Sequence, residues 1–205
     1  MPKPSASMIS AYSDIMERLK ASTAQAPAQA SDYISTADQF RRAGQAAWAL
    51  DILLPLKRFF EGDPQFKFIL ALSYRDAQDM EGAYRAVTDA ARLLPKHPEI
   101  AFAKAQFAFE SWRPAVAMFR QAQRLAPQNL AIVKNLALAM VSEGRSQKGL
   151  DLLQATLEQY PDWVEGHRQL ASIKTTLGQA DTGASFETAC KQLPDNIVGQ
   201  VFVFL

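Results

Sequence analysis

The sequence predicts an all-α protein that is organised as a solenoid of about five helix–turn–helix units. The stretch at residues 70–95 holds two short apolar-periodic runs, which are separated by a polar turn at residues 78–81 and ended by Pro95. The same pattern recurs on both sides of this stretch at intervals of 32 to 34 residues. Three prolines at similar spacing, Pro95, Pro127 and Pro161, follow the second run of their units.

This template unit places small residues where its two helices are expected to cross. The apolar faces of its first and second helices carry, in order, Leu70, Ala71 and Tyr74, then Ala83, Val87, Ala90 and Leu93. Only a small side chain allows two helices to approach closely at a crossing. We therefore expect Ala71, Ala83 and Ala90 to lie between the paired helices.

Four further copies of the template carry matching residues. The first copy has Ala37, Phe40, Ala49, Leu53 and Leu56, and the third has Ala115, Phe119, Ala122, Leu125 and Pro127. The fourth has Leu136, Ala137, Met140, Gly149, Leu153, Thr156 and Pro161, and the fifth has Leu170, Ala171, Phe186, Ala189 and Pro194. Glycines recur in the turn between the helices, where a residue tolerant of positive φ is favoured: Gly44, Gly144 and Gly178.

At these residues the chain resembles the tetratricopeptide repeat (TPR) family, whose unit is a helix–turn–helix of about 34 residues. The resemblance covers residues 30–196, which we divide into repeats at 30–63, 64–97, 98–129, 130–163 and 164–196. It implies a right-handed superhelix of paired helices. In such a solenoid each repeat packs on its neighbours, so the core is a ribbon rather than a central ball.

The two ends of the chain differ from the repeats. Residues 1–29 are predicted to hold an amphipathic helix at 8–20 and a linker that contains Pro27. This helix either caps the first repeat or occupies a groove, and the sequence leaves both open. The tail at residues 197–205 ends in five apolar residues, which favour either an improvised cap or a weak homodimer.

Two repeats contain irregular features. Pro55 lies inside the second helix of the first repeat, where it removes a backbone hydrogen bond, so the helix is expected to kink or divide. In the third repeat Pro114 is predicted at the first position of the second helix. We expect the preceding Trp112 to pack beneath the turn.

Composition and reactive residues argue against several classes of function. A formal net charge of +1 disfavours a partner held by phosphate attraction, so no nucleic acid is predicted. The single cysteine, Cys190, and the absence of an apolar leader or membrane-spanning run favour a soluble cytoplasmic protein. His97 and His167 are far apart and lack partners at ligand spacing. No catalytic residue, metal or cofactor is therefore predicted.

The resemblance implies that the second, fifth, ninth and twelfth positions of each repeat line a concave groove. The fifth, ninth and twelfth of these positions carry Ile34, Asp38, Arg41, Phe68, Leu72, Arg75, Phe102, Gln106, Phe109, Lys134, Leu138, Val141, Arg168, Ser172 and Thr175. The residues predicted to bind a partner are Phe68, Leu72, Arg75, Phe102, Gln106, Phe109, Lys134, Leu138, Val141 and Arg168. The short third repeat leaves open whether Phe102 and Phe109 belong to the core instead.

Part of this face resembles the carboxylate clamp, with which some TPR proteins grip the acidic C-terminus of chaperones. The matching residues are Lys134, Asn135 and Arg168. The family pattern also requires an asparagine at the ninth position of its first clamp repeat. The ninth positions here carry Asp38, Leu72, Gln106, Leu138 and Ser172, so binding of chaperone tails is not predicted.

Three functions are compatible with the sequence. The first is a non-catalytic adaptor whose groove binds a peptide or partner segment. The second is the N-terminal repeat region of a larger bacterial enzyme, because residues 163–196 resemble regions that precede catalytic domains such as iron- and 2-oxoglutarate-dependent oxygenases. The third is a structural oligomer that assembles through its apolar tail. The adaptor is the preferred hypothesis.

Overall fold

The computed structural model describes residues 3–21 and 30–179, and all regular structure in these two ranges is helical. The helices are α1 (Ala6–Ala21), α2 (Ala30–Arg42), α3 (Ala46–Leu56), α4 (Pro64–Asp76), α5 (Met80–Leu93), α6 (Pro98–Glu110), α7 (Val116–Leu125), α8 (Leu130–Ser142), α9 (Ser146–Gln159) and α10 (Val164–Thr176). The predicted fold class, an all-α solenoid of helical repeats, is confirmed.

The chain divides into two compact units between Arg113 and Pro114. Unit 1 contains α1 to α6, and its hydrophobic cluster includes Phe40, Phe66 and Phe107. Unit 2 contains α7 to α10, and its cluster includes Leu150, Leu153, Leu157, Leu170 and Ile173. The division falls inside the predicted third repeat, so α6 and α7 belong to different units.

The first helix of each predicted repeat ends in the same hydrogen-bonded turn. In the fourth repeat Gly144 donates its amide to Val141 at 3.0 Å, and Arg145 donates to Met140 at 2.7 Å. This pair of hydrogen bonds around a residue with positive φ is the Schellman motif, which satisfies the last carbonyls of a helix. The positive-φ residues are 34, 34, 32 and 34 residues apart along the chain: Gly44, Gln78, Trp112, Gly144 and Gly178.

Small residues occupy the predicted helix crossings. Ala71 and Ala83 are fully buried between α4 and α5, and Ala137 is fully buried between α8 and α9. A Cβ atom on Gly149 would lie only 2.9 Å from the carbonyl oxygen of Ala137, so α9 touches the backbone of α8 there. Leu93 was expected to lie on the apolar face of α5. That prediction is wrong, because Leu93 is the last residue of α5 and is 40% exposed.

Helix α1 packs against α3, which favours the cap interpretation over a helix held in a groove. Tyr12 stacks on Trp48 at 4.5 Å between ring centroids and donates a hydrogen bond to Asp51 at 2.7 Å. Phe40 meets the edge of the same Trp48 ring at 5.5 Å. Burial, and then the neighbouring Asp51, raise the pKa of Tyr12 to about 12, so this hydroxyl remains a donor at neutral pH.

The two irregular repeats differ in part from expectation. Helix α3 runs through Pro55 and ends at Leu56, where a 3-10 turn over Lys57–Phe59 follows, so the helix does not divide at the proline. The prediction for Trp112 is wrong, since its side chain is 94% exposed. Pro114 also lies outside α7, which begins at Val116. Glu143 accepts hydrogen bonds from the first amides of that helix at 3.0 and 3.1 Å.

Several predictions concern residues outside the described ranges. They include the linker after α1, the second helix of the fifth repeat with Phe186 and Ala189, Cys190, and the apolar tail at residues 201–205. Among the helices in residues 3–21 and 30–179, none has the length and apolar content to cross a membrane.

Substitution Ala137→Leu should lower the free energy of unfolding of unit 2. The added atoms have no space between α8 and α9, and overpacking of this kind costs about 1–3 kcal/mol. The matched control is Ala155→Leu, an exposed alanine on α9, which should change stability by less than about 0.5 kcal/mol. Urea unfolding measures both variants, and equal midpoints would reject the assigned crossing.

Reciprocal substitutions test the positive-φ turns. Trp112→Gly should raise the free energy of unfolding by roughly 0.5–1 kcal/mol, because relief of the left-handed backbone exceeds the entropic cost of glycine. Gly144→Trp should lower it by about 1–2 kcal/mol. Thermal and urea unfolding report both changes. Opposite signs would show that Trp112 makes contacts that its 94% exposure does not indicate.

Candidate functional site

The predicted partner-binding residues lie at the surface of their helices rather than in the core. Arg168 is exposed, and the other nine are partly buried: Phe68, Leu72, Arg75, Phe102, Gln106, Phe109, Lys134, Leu138 and Val141. The neighbouring Ala71 and Ala137, which face the paired helix, are fully buried. Phe102 and Phe109 are therefore not fully buried core residues, although Phe107 between them is.

The apolar part of the site in unit 1 comes from α2, α4 and α6. Ile34, Phe68 and Leu72 pack against the hydrophobic cluster of this unit and keep part of their surface exposed. Phe68, Leu72 and Arg75 follow one another at the i, i+4 and i+7 spacing that aligns side chains along one helix stripe. Partly exposed aromatic and aliphatic side chains in a row retain area that a partner can bury.

A network of ion pairs crosses from α2 to α4 beside these apolar residues. Arg41 pairs with Asp38 at 2.8 Å on its own helix and with Asp76 at 2.8 Å on α4. Asp38 also binds Arg42 at 2.6 Å, and Asp76 binds Arg75 at 3.0 Å. The side chain of Arg41 is only 11% exposed, whereas that of Arg42 is 73% exposed. The network therefore has a protected centre and a solvated end.

Electrostatics hold this centre in its charged form. Burial disfavours the charge on Arg41, but the hydrogen bonds that it donates to Asp76 and Asp38, together with their negative charge, outweigh burial and raise the pKa of Arg41. Arg75 lies over the buried ring of Phe107 at 5.4 Å, which connects α4 to α6. Cations attract the negative face of an aromatic ring, so Phe107 helps to fix the position of the Arg75 guanidinium.

The corresponding residues of unit 2 form a smaller arrangement. Glu165 accepts from Lys134 at 3.2 Å and from Arg168 at 3.0 Å. The side-chain amide of Asn135 donates to the carbonyl of Ala131, on its own helix, at 2.8 Å. The three clamp-like residues are thus engaged within the protein, and a carboxylate already lies between the two cations. Glu165 was not among the predicted contact residues, although it stands at the second position of the fifth repeat.

Both histidines have structural contacts. His97 is the residue before α6, and its Nδ1 accepts from the amide of Ile100 at 3.4 Å, which caps the helix. His167 Nε2 lies 2.8 Å from the carbonyl oxygen of Pro161. Across residues 3–21 and 30–179, His, Cys, Asp and Glu form no group of three that could hold a metal ion.

Unit 1 also contains clefts away from the predicted residues. Three clefts, of about 500, 310 and 230 Å³, lie at the end of α3 and beside α4 and α5. Lys57 lines part of each. Asp89 lines the two smaller clefts and pairs there with Lys67 at 3.8 Å and with Arg92 at 3.2 Å. None of the three clefts contains a predicted partner-binding residue.

A second exposed feature of unit 1 is the turn after α6. Arg113 lies over the ring of Tyr84 at 4.5 Å and pairs with Glu81 at 2.6 Å. These contacts tie the turn to α5 and leave Trp112 facing solvent. The sequence carries no signal for this arrangement, because a large aromatic residue in a turn usually predicts packing.

The ion-pair network predicts different costs for its centre and its solvated end. Asp76→Asn should lower the free energy of unfolding by about 1–2 kcal/mol, because Arg41 and Arg75 lose a charged acceptor while remaining partly buried. Arg42→Gln at the exposed end should cost less than about 0.5 kcal/mol. Chemical denaturation compares the two variants. Equal costs would contradict the protected centre.

Comparisons with known proteins bear on the fold. No family model matches the sequence, and no curated protein matches it either. The structure is similar to MamA (residues 41 to the end) from Desulfovibrio magneticus RS-1, with 17% identity, a TM-score of 0.71, and coverage of 82% of this chain and 96% of that one. It is also similar to a further MamA protein, with 16% identity, a TM-score of 0.69 and coverage of 78% and 90%.

YrrB, described as a TPR protein with an unusual peptide-binding site, is a third similar structure. Its identity is 14% and its TM-score 0.66, over 95% of this chain and 98% of YrrB. At such low identity the likeness establishes the fold alone. It agrees with the repeated turns at 34- and 32-residue spacing and with the small residues at the helix crossings. The chain therefore has the tetratricopeptide-repeat fold.

Proposed function

We propose that this protein is a non-catalytic interaction scaffold whose groove binds a peptide or a partner segment. The observation that carries the proposal is the row of partly exposed apolar residues on the first helices of unit 1, beside an ordered ion-pair network. The proposed contact residues in unit 1 are Phe68, Leu72, Arg75, Phe102, Gln106 and Phe109. Those in unit 2 are Lys134, Leu138, Val141 and Arg168.

A chain segment suits this site better than a small molecule. Small-molecule sites are enclosed, mostly apolar pockets with a few convergent polar groups. The clefts beside α4 and α5 are instead lined by charged residues that pair with one another. The contact residues are spread over successive helices, as in repeat proteins that bind extended partners. YrrB is described as having a peptide-binding site, and the shared fold supports the same class of ligand here.

The proposal assigns no catalytic role to this chain. A catalytic histidine needs a nucleophile or substrate within hydrogen-bond reach, whereas His97 caps α6 and His167 contacts a backbone carbonyl. The cytoplasmic location, the larger bacterial enzyme and the tail-driven homodimer stay predictions, since no contact among the described residues bears on them.

A triple substitution tests the groove. The variant Phe68→Ser, Leu72→Ser and Phe102→Ser removes three apolar contact side chains of unit 1 and should abolish retention of phage that display random peptides. The matched control changes three exposed apolar residues outside the proposed site, Leu54→Ser, Leu93→Ser and Leu94→Ser, and should retain phage as the wild type does. Circular dichroism verifies that both variants keep their helices. Equal retention by both variants would reject the groove.

A further inference from the structure

We propose that unit 1 recognises partner segments in which a side-chain carboxylate, from Asp or Glu, lies within about four residues of an apolar or aromatic residue. The apolar residue packs on Phe68 and Leu72, and the carboxylate binds the free edge of the Arg75 guanidinium. This inference rests on the proposed peptide-binding function and specifies its ligand.

Arg41 and Arg75 differ in how many of their guanidinium nitrogens donate hydrogen bonds. A guanidinium offers two edges that can bind a carboxylate, one formed by Nε and Nη2 and the other by Nη1 and Nη2. Arg41 uses Nε and Nη2 on Asp38 and Nη1 on Asp76. Arg75 uses only Nε and Nη2, both on Asp76 Oδ1, at 3.1 and 3.0 Å. Its Nη1 makes no hydrogen bond to any described residue, so one edge is open.

The open edge is held in place before a ligand arrives. Asp76 fixes one side of the Arg75 guanidinium, and Asp76 is itself anchored by Arg41 on the neighbouring helix. The ring of Phe107 lies under the guanidinium plane at 5.4 Å. The side chain of Arg75 is 32% exposed, which leaves it accessible. A fixed donor pays less entropy on binding than a mobile surface arginine.

The neighbours of Arg75 define the rest of the ligand. Leu72 precedes it by three residues and Phe68 by seven, so the three side chains form one stripe along α4. Along the helix axis Leu72 lies about 4.5 Å and Phe68 about 10.5 Å from Arg75, distances that roughly one to three residues of an extended peptide span. A ligand that fills this stripe therefore presents its apolar group and its carboxylate close together in sequence.

The geometry favours an internal carboxylate over a C-terminal one. Arg75 contacts α6 through Phe107, and the proposed contact residues Phe102 and Phe109 belong to that next helix. A segment that covers both helices continues past Arg75 rather than ending there. A phosphate is disfavoured because Asp38 and Asp76 already lie beside the cations, and a dianion requires more positive charge than one open edge supplies.

Selection of peptides tests the ligand class. Random peptides are displayed as internal segments, so that neither terminus is free. They are selected for binding to the wild type, Arg75→Gln, Arg75→Lys and Arg42→Gln. Wild type and Arg42→Gln should enrich Asp or Glu within four positions of an apolar residue. Arg75→Gln should lose that enrichment while it still selects apolar residues, and Arg75→Lys should weaken it, because lysine keeps the charge but lacks the planar edge.

A selected peptide and its Glu→Gln (or Asp→Asn) form are then synthesised, and their affinities for the wild type and for Arg75→Gln are measured. The four affinities form a double-mutant cycle. Wild type should bind the acidic form at least about tenfold more tightly, and Arg75→Gln should bind both forms equally. Binders without acidic enrichment, or enrichment that survives in Arg75→Gln, would overturn the inference and leave the proposed function standing. The selection is repeated with peptides displayed with a free C-terminus, and binders found only in that second selection would also overturn the inference. A wild type that selects no peptide in either selection would reject the proposed function itself.

Discussion

The left-handed turn at the end of each first helix is the constraint on which the rest of the structure depends. Two hydrogen bonds close each turn, and the residue between them must adopt positive φ. The chain then reverses within three or four residues and brings the second helix directly against the first. That proximity permits only alanine or glycine at the crossing, as the 2.9 Å approach at Gly149 shows. The geometry of the turn and the need for small residues at the helix crossing therefore have the same cause.

The same requirement determines which residues remain available for a partner. The positions that face the second helix, such as Ala71 and Ala137, are fully buried and serve packing. Residues on the next stripe of the first helix, among them Phe68 and Leu72, pack against the core and stay partly exposed. Charged residues near the ends of α2 and α4 pair across the two helices and support the stripe. The candidate site thus follows from the way each repeat is packed.

Sequence periodicity predicted the parts of this arrangement that depend on spacing. Gly44, Gly144 and Gly178 marked three of the turns, and the alanine pattern identified the crossings, because both signals are local. Gln78 and Trp112 gave no such signal, since nothing in their side chains indicates positive φ. Trp112 was expected to pack, but Arg113 takes the contacts with Tyr84 and Glu81 instead. Likewise, Asp76 pairs with Arg41, and Glu165 pairs with Lys134, through side chains that reach from one helix to another. The repeat period of the sequence does not indicate such pairings.

Residue-resolved amide hydrogen exchange tests the repeated turn most directly. The closing amides of the first four turns, Gln45, Asp79, Arg113 and Arg145, donate to carbonyls five residues earlier at 2.7 to 2.9 Å. We predict that these four amides exchange far more slowly than solvent-exposed turn amides. This includes the amides of Asp79 and Arg113, whose turns have Gln78 and Trp112 in place of glycine. Exchange of all four at the rate of an unstructured chain would contradict this prediction.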